Sequence, residues 1–311
     1  MPYHHQTVTG LLQDDLRLDR YVAERLGILS RSQIKARELK AKINGKDVKI
    51  SHAVKNSDLI ELFWNEAEPL NIVPENIPLD IIYEDDRAVV INKPQGMVVH
   101  PGAGNRQGTL ANALYYRGLE RGAFRGAEEP PSGYRPGIVH RLDKDTSGVM
   151  VAAYDDEALA FLAGQFKSRK ARKTYIAIVN GVPKEPQGRI ETFIARDPED
   201  RKRFAVSTRG KIALTLYKVI KTWPAHSLIL LRPKTGRTHQ LRVHLRYLGH
   251  PVSGDPLYGH ADPLFPDASL MLHARSLAIT LPGESTERIF KAPLPERFRK
   301  MIQNLTTEKH R

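Results

Sequence analysis

Apolar residues recur along the chain with two periods, and the switch from one to the other marks out the elements. Leu18, Tyr21, Val22 and Leu26 fall at helical spacing and stop at Gly27, after which Ser30 can cap a second short helix over SRSQIKARELK. Residues 41–48 alternate around Asn44-Gly45, the pattern of a tight hairpin, and this module closes at Ile60-Glu61-Leu62. Residues 1–15 carry no such pattern and are expected to be a flexible tail. The module therefore spans 16–63, and the acidic, proline-punctuated stretch 64–78 reads as a linker.

From residue 79 to 306 the periods alternate in a longer series. Strands are expected at 79–83 and 88–91, followed by a helix capped by Thr109 with Leu110 and Leu114 inward. Gly137-Ile138-Val139 and 148–153 read as two strands around a charged turn, and 118–133 as a flexible surface insertion before them. Asp155 or Asp156 caps a helix with Leu159, Leu162 and Phe166 on its buried side, and Tyr175 opens the next strand. Two or three antiparallel strands are expected over 188–220, with RDPEDRKRF as a loop, then a buried strand at 227–231. A turn leads into a helix whose core face is Leu241, Leu245 and Leu248, and a last helix buries Phe298, Ile302 and Leu305. The fold class is α+β: a small αα-hairpin plus β module, then a large domain on a mixed, mostly antiparallel sheet.

Charge narrows the partner. A formal charge of +13 over 311 residues attracts polyanions, nucleic acid before a membrane surface. Between Arg17 and Lys55 there are eleven Lys/Arg against four acids, so Arg31, Lys35, Arg37, Lys42 and Lys46 are candidates for one face over RNA phosphates. Lys167, Arg169, Lys170, Arg172 and Lys173 suit both a helix C-terminus and a phosphate, and Arg201, Lys202, Arg203 and Arg209 form an exposed charged loop. No apolar run approaches the roughly 20 residues of a membrane span, and no signal peptide is evident, so the expected location is the cytoplasm. There is no cysteine, which excludes disulfides and thiolate metal sites. His239, His244, His250, His260 and His273 lack metal-ligand spacing and read as core or backbone-bonded, so no metal is expected. Gly102, Gly104 and Gly108 miss both the P-loop and the dinucleotide spacing, so no nucleotide cofactor is expected.

The charged turn concentrates the candidate chemistry. RPGIVHRLDKDTSGVM sets His140, Arg141, Asp143, Lys144 and Asp145 between two apolar runs. Cations on either side keep the Asp143 carboxylate ionised, which suits a structural ion pair or a nucleophile alike.

That stretch resembles the catalytic signature of the RluA-type RNA pseudouridine synthases, and its companions follow in the family's order: NKPQGMVVHPG, Lys173-Thr174-Tyr175, TGRTHQLRVH, and Gly254-Asp255 with Leu272-His273-Ala274. The small module, with SRSQIK and NGK, resembles the S4 RNA-binding domain often joined to these enzymes. The resemblance implies a catalytic Asp143, a Tyr175 whose ring lies against the target uracil, an Arg242 ion-paired with Asp143, and Leu241 packed beside Tyr175. It also implies a cofactor-free isomerisation of flipped-out uridine, with Arg141 filling the gap left in the RNA and with His140 and Leu241 as further contacts to the RNA substrate. The substrate it suggests is large-subunit ribosomal RNA or its precursor, acted on by a monomer. Three alternatives are a tRNA substrate, a non-catalytic RNA-binding or ribosome-assembly protein, and a nucleoside hydrolase pairing Asp143 with Asp145 or Asp255.

Overall fold

The structure is a computed structural model that describes residues 3–7, 16–29, 31–65, 72–102, 104–122, 137–200, 202–260 and 262–307. The chain forms two compact units, 1–71 and 72–311.

In the first unit a four-stranded sheet has the order β1 (Tyr3–Thr7), β6 (Leu59–Phe63), β3 (Lys40–Ile43), β4 (Lys46–Val48), and β2 (Leu16–Arg17) pairs with β5 (Ala53–Val54). The expected pair of short helices is present. A turn of α1 (Leu18–Arg20) continues as a π-helical segment, Tyr21–Leu26, and ends at Gly27 in the left-handed conformation; α2 runs Arg31–Ala36. Ser30, the expected cap of α2, lies outside the described residues. Leu18, Val22, Ile34, Ile43, Ile60 and Leu62 form the core of this unit. The Asn44-Gly45 hairpin is as expected, both residues having positive φ.

Two expectations for this unit need correction. Tyr3–Thr7, read as part of a tail, is a strand paired antiparallel to β6. Its sequence lacks apolar alternation because what it supplies is backbone pairing along an otherwise open sheet edge. Nor do the cations share one face. Lys42 lies opposite Asp47 and Glu61 in the neighbouring strands, whereas Lys46 lies opposite Ile43, one pleat away and on the other side of the sheet. Lys35 and Lys46 are exposed, Arg37 and Lys42 half-buried, and Arg31 reaches the buried Asp19 at 3.3 Å.

The second unit is built on one mixed sheet of eleven strands. Its strands are β7 (Ile81–Glu84), β8 (Ala88–Lys93), β9 (Gly137–Ile138), β10 (Ser147–Ala153), β11 (Arg172–Asn180), β12 (Gln187–Arg196), β13 (Phe204–Ser207), β14 (Lys211–Thr222), β15 (His226–Pro233), β16 (Leu272–Thr280) and β17 (Glu287–Lys291). The order is β13-β12-β14-β15-β11-β16-β10-β8-β7, with β17 on β16 and β9 on β10. Only β10 and β16 run parallel among these described pairs. Every residue of β10 is buried, because both faces of the sheet are covered there. Met150 and Ala152 join the core that includes Leu110 and Leu114 of α3 (Leu110–Glu120) and Phe298 and Met301 of α6 (Glu296–Thr307). Val149 and Val151 face the other way, onto Ala158 and Leu162 of α4 (Asp156–Lys167). Thr109 and Asn112 make a reciprocal capping box on α3, and Asp155 caps α4.

The linker expectation for 64–78 does not fit its second half, and 66–71 lie outside the described residues. Ile72 is buried against Ala111 and Tyr115, the Asn112 side chain donates to Val73 O at 2.7 Å, and Glu75 accepts from Gly108 N–H. Residues 72–75 therefore strap onto α3 and the loop before it, since one apolar side chain and paired polar groups suffice to dock a segment that has no period. Gly118–Glu120, assigned to an insertion, are the last turn of α3; 123–136 lie outside the described residues. No described helix is long and apolar enough to cross a membrane.

Candidate active site

The charged turn, residues 139–146, is held at both ends by the pairing of β9 with β10, Ala152 opposite Ile138 and Ala153 opposite Gly137. Gly148 sits at φ +119° where β10 meets β16, and a Cβ there would come 2.2 Å from Ala274 O, so only glycine admits this close parallel pairing. Leu142 is buried beneath the turn, and Thr146 N–H closes it onto Asp143 O at 3.1 Å.

A second hold comes from Lys93, the last residue of β8. Its side chain is wholly buried, and its ammonium donates to Pro94 O, Met97 O and Lys144 O at 2.9, 2.8 and 3.0 Å. Burial lowers its pKa to about 8, although Asp145 and Asp143 nearby oppose the fall. Gly96 N–H adds a bond to Lys144 O at 2.9 Å. The NKPQG stretch is thus a clamp on the neighbouring Lys144, a role its sequence did not disclose.

Opposite the turn stands α5 (Gln240–Tyr247). Gln240 organises the preceding loop: its Oε1 accepts from the Thr235 hydroxyl and Arg237 N–H, and its Nε2 donates to Leu214 O. Leu241 is buried in the same core as Tyr175. Arg242 is also buried, and here the resemblance is only partly followed. Its guanidinium binds Asp255 with both arms, at 2.7 and 2.6 Å, while its Nη1 stands 3.9 Å from Asp143. Asp255 is the nearer partner because the backbone N–H groups of Leu257 and Tyr258 also bind its carboxylate, completing a satisfied buried pair. Arg246 is exposed.

Tyr175 lies four residues into β11 rather than at its start, beside a bulge between Thr174 and Tyr175. Bulges re-aim side chains next to functional sites. Burial, together with the negative charge of Asp143, pushes the Tyr175 phenol far above its usual pKa, so it stays protonated.

These groups surround a small cavity of about 110 Å³ lined by Arg141, Asp143, Tyr175, His239, Leu241 and Arg242. Arg141 is exposed at its rim. The cavity shares Lys173, Pro233, Thr235, Gly236 and Arg237 with an open groove of about 1010 Å³ whose walls include Lys167, Arg169, Arg232, Lys234 and Lys291. Among the described lining residues of the groove there is no carboxylate. His140, in contrast, is not on the cavity. It stacks on Phe166 at 4.5 Å, its Nε2 accepts from Val151 N–H at 3.1 Å, and burial lowers its pKa to about 3. It braces the turn from behind. Arg31, Lys35, Arg37, Lys42 and Lys46 belong to the other unit.

A sequence model described as RNA pseudouridylate synthase matches residues 87–247, more than half of the chain. "Ribosomal large subunit pseudouridine synthase D" of Borreliella burgdorferi is 44% identical over 94% of this chain and 90% of its own length. An RNA pseudouridine synthase of Bacillus subtilis is 37% identical, covering 94% and 95% of the two chains. Among solved structures, human RNA pseudouridylate synthase domain containing 4 superposes with a TM-score of 0.58 and 28% identity, over 73% of this chain and 93% of that one. With Asp143, Tyr175 and Arg242 brought to one cavity inside the matched region, the chain belongs to the RNA pseudouridylate synthase family and is an RNA-modifying isomerase.

Proposed function

We propose that this enzyme isomerises specific uridines of large-subunit ribosomal RNA, with Asp143 as the catalytic carboxylate. The observation that carries the proposal is that Asp143 is the sole carboxylate among the described residues lining the small cavity. The reaction breaks the N1–C1′ bond, turns the uracil and joins C5 to C1′; C5 loses a proton and N1 gains one, so no atom is lost and no cofactor is consumed. Asp143 supplies the charge on which this exchange turns, and the Arg242 guanidinium stands 3.9 Å away. Tyr175, held protonated, packs against the uracil rather than removing a proton.

A uridine in a helix must leave the stack to reach Asp143, at a cost of a few kcal/mol. Arg141, exposed at the rim, takes its place with a planar guanidinium. The first unit acts as an S4-like RNA-binding domain through exposed cations such as Lys35 and Lys46, and the enzyme works as a cytoplasmic monomer. The large-subunit target is supported by the name of the Borreliella relative and its 90% coverage. The hydrolase alternative lacks support, since Asp255 has no exposed side-chain surface and is occupied by Arg242, and Asp145 is not among the described residues lining the cavity.

The test is pseudouridine mapping of total RNA by carbodiimide-dependent reverse-transcription stops in cells carrying wild-type protein or Asp143→Ala. Loss of specific stops in large-subunit RNA is expected. Loss in transfer RNA instead would reassign the substrate, and persistence of every stop would remove the catalytic role of Asp143.

A further inference from the structure

His239 is the residue before α5, and it holds a left-handed backbone, φ 55° and ψ 16°, which non-glycine residues adopt infrequently. Such a conformation persists where the surroundings over-determine it. Here Tyr258 does so. The buried Tyr258 hydroxyl accepts from Phe204 N–H at 2.8 Å and lies 2.9 Å from His239 Nδ1, and the two rings meet edge to face at 5.6 Å. With its oxygen already accepting one N–H, the hydroxyl can satisfy its own proton only by giving it to Nδ1, since no other acceptor is in reach among the described residues. That assigns the tautomer: Nδ1 accepts, and the hydrogen of the neutral ring is on Nε2.

The two edges of the ring serve different spaces. Nδ1 is turned to Tyr258, while His239 lines the cavity that holds Asp143 and Tyr175. Nε2 has no hydrogen-bond partner among the described residues. Burial keeps the imidazole pKa below its ordinary value, so near pH 7 the group is an uncharged donor. Arg141, Lys173 and Arg237 line the same cavity and are the groups suited to phosphate; an uncharged N–H suits a carbonyl oxygen.

Building on the uridine-isomerising reading above, we propose that His239 is a base-contacting residue whose Nε2–H donates to a carbonyl oxygen of the uracil in the Asp143 cavity. The contact helps hold the base while its bond to the sugar is exchanged. It also ties base recognition to β13 through Tyr258 and Phe204 N–H.

The experiment uses the full-length enzyme and a synthetic RNA carrying the single uridine whose modification disappears with Asp143→Ala, prepared with uridine, 2-thiouridine or 4-thiouridine at that position. Sulfur is the weaker acceptor, so wild-type enzyme is expected to slow about tenfold on one of the two analogues in single turnover. His239→Ala is expected to lose about tenfold on uridine and to turn over that analogue and uridine equally. Tyr258→Phe, which keeps the ring but releases the tautomer, is expected to narrow the same difference. A wild-type enzyme indifferent to both analogues, or an equal loss by His239→Ala on all three RNAs, would overturn the proposal. Failure of the wild type to convert the uridine RNA at all would instead overturn the reading on which it rests.

Discussion

Arg242 stands 3.9 Å from Asp143 but grips Asp255 with both arms of its guanidinium, so the expected catalytic ion pair is the looser half of a three-membered array. The arrangement separates two jobs. Asp255 satisfies the buried cation, and Asp143 feels its field while remaining free to react.

Asp143→Asn is accordingly expected to abolish turnover, by about a thousandfold or more, without unfolding the protein. Arg242 keeps Asp255, so no buried charge is orphaned. Single-turnover assays and thermal melts check the two halves; a melting point lowered as far as that of a core mutant would contradict the division of labour.

Asp255→Asn is expected to do the reverse in stability. It leaves Arg242, 4% exposed, without its close counter-ion, at a cost of about 3 kcal/mol. Denaturant titration at pH 7 reads this directly, and activity should fall with it because Arg242 is then free to collapse onto Asp143.

Acid should destabilise the fold well before the carboxylates titrate. Burial lowers the pKa of His244 and of His273 to about 4, from an ordinary value near 6.5. Between those values the unfolded chain binds protons that the folded chain refuses, so stability falls as pH drops from about 6.5 toward 4, by up to about 1.4 kcal/mol per pH unit for each ring. Urea midpoints at pH 7, 6 and 5 test this, and His244→Gln should flatten the decline.

The cationic groove predicts a salt effect separate from chemistry. Replacing Arg232 and Lys234, both exposed on its wall, with Gln should weaken RNA binding and make the plot of log Kd against log salt shallower by about one for each phosphate no longer neutralised. The rate at saturating RNA should not change. An unchanged salt slope would mean that the RNA backbone runs elsewhere.

What the sequence disclosed was mostly local. Apolar runs and caps located β10, α3 with Thr109, and α4 with a cap at Asp155 or Asp156, because these depend on residues a few positions apart. The Asp143, Tyr175 and Arg242 cavity came from motif resemblance, not from any period. What escaped depends on distant pairing. Nothing near Tyr3–Thr7 signals that it completes a sheet with β6, and nothing near Lys93 signals a carbonyl 51 residues later. His140 shows the opposite error: adjacency to Arg141 and Asp143 suggested RNA contact, but the turn points it backwards onto Phe166.

A lysine whose pKa is lowered to about 8 would ordinarily be singled out as a reactive amine, ready for acylation or carbamylation at neutral pH. Lys93 escapes that fate. It exposes no surface, and its three protons are committed to three carbonyls. Amine-labelling reagents that coat the many exposed lysines of this basic protein should leave Lys93 unmarked until the chain unfolds. Its labelling would thus report the moment at which the Asp143 turn comes loose.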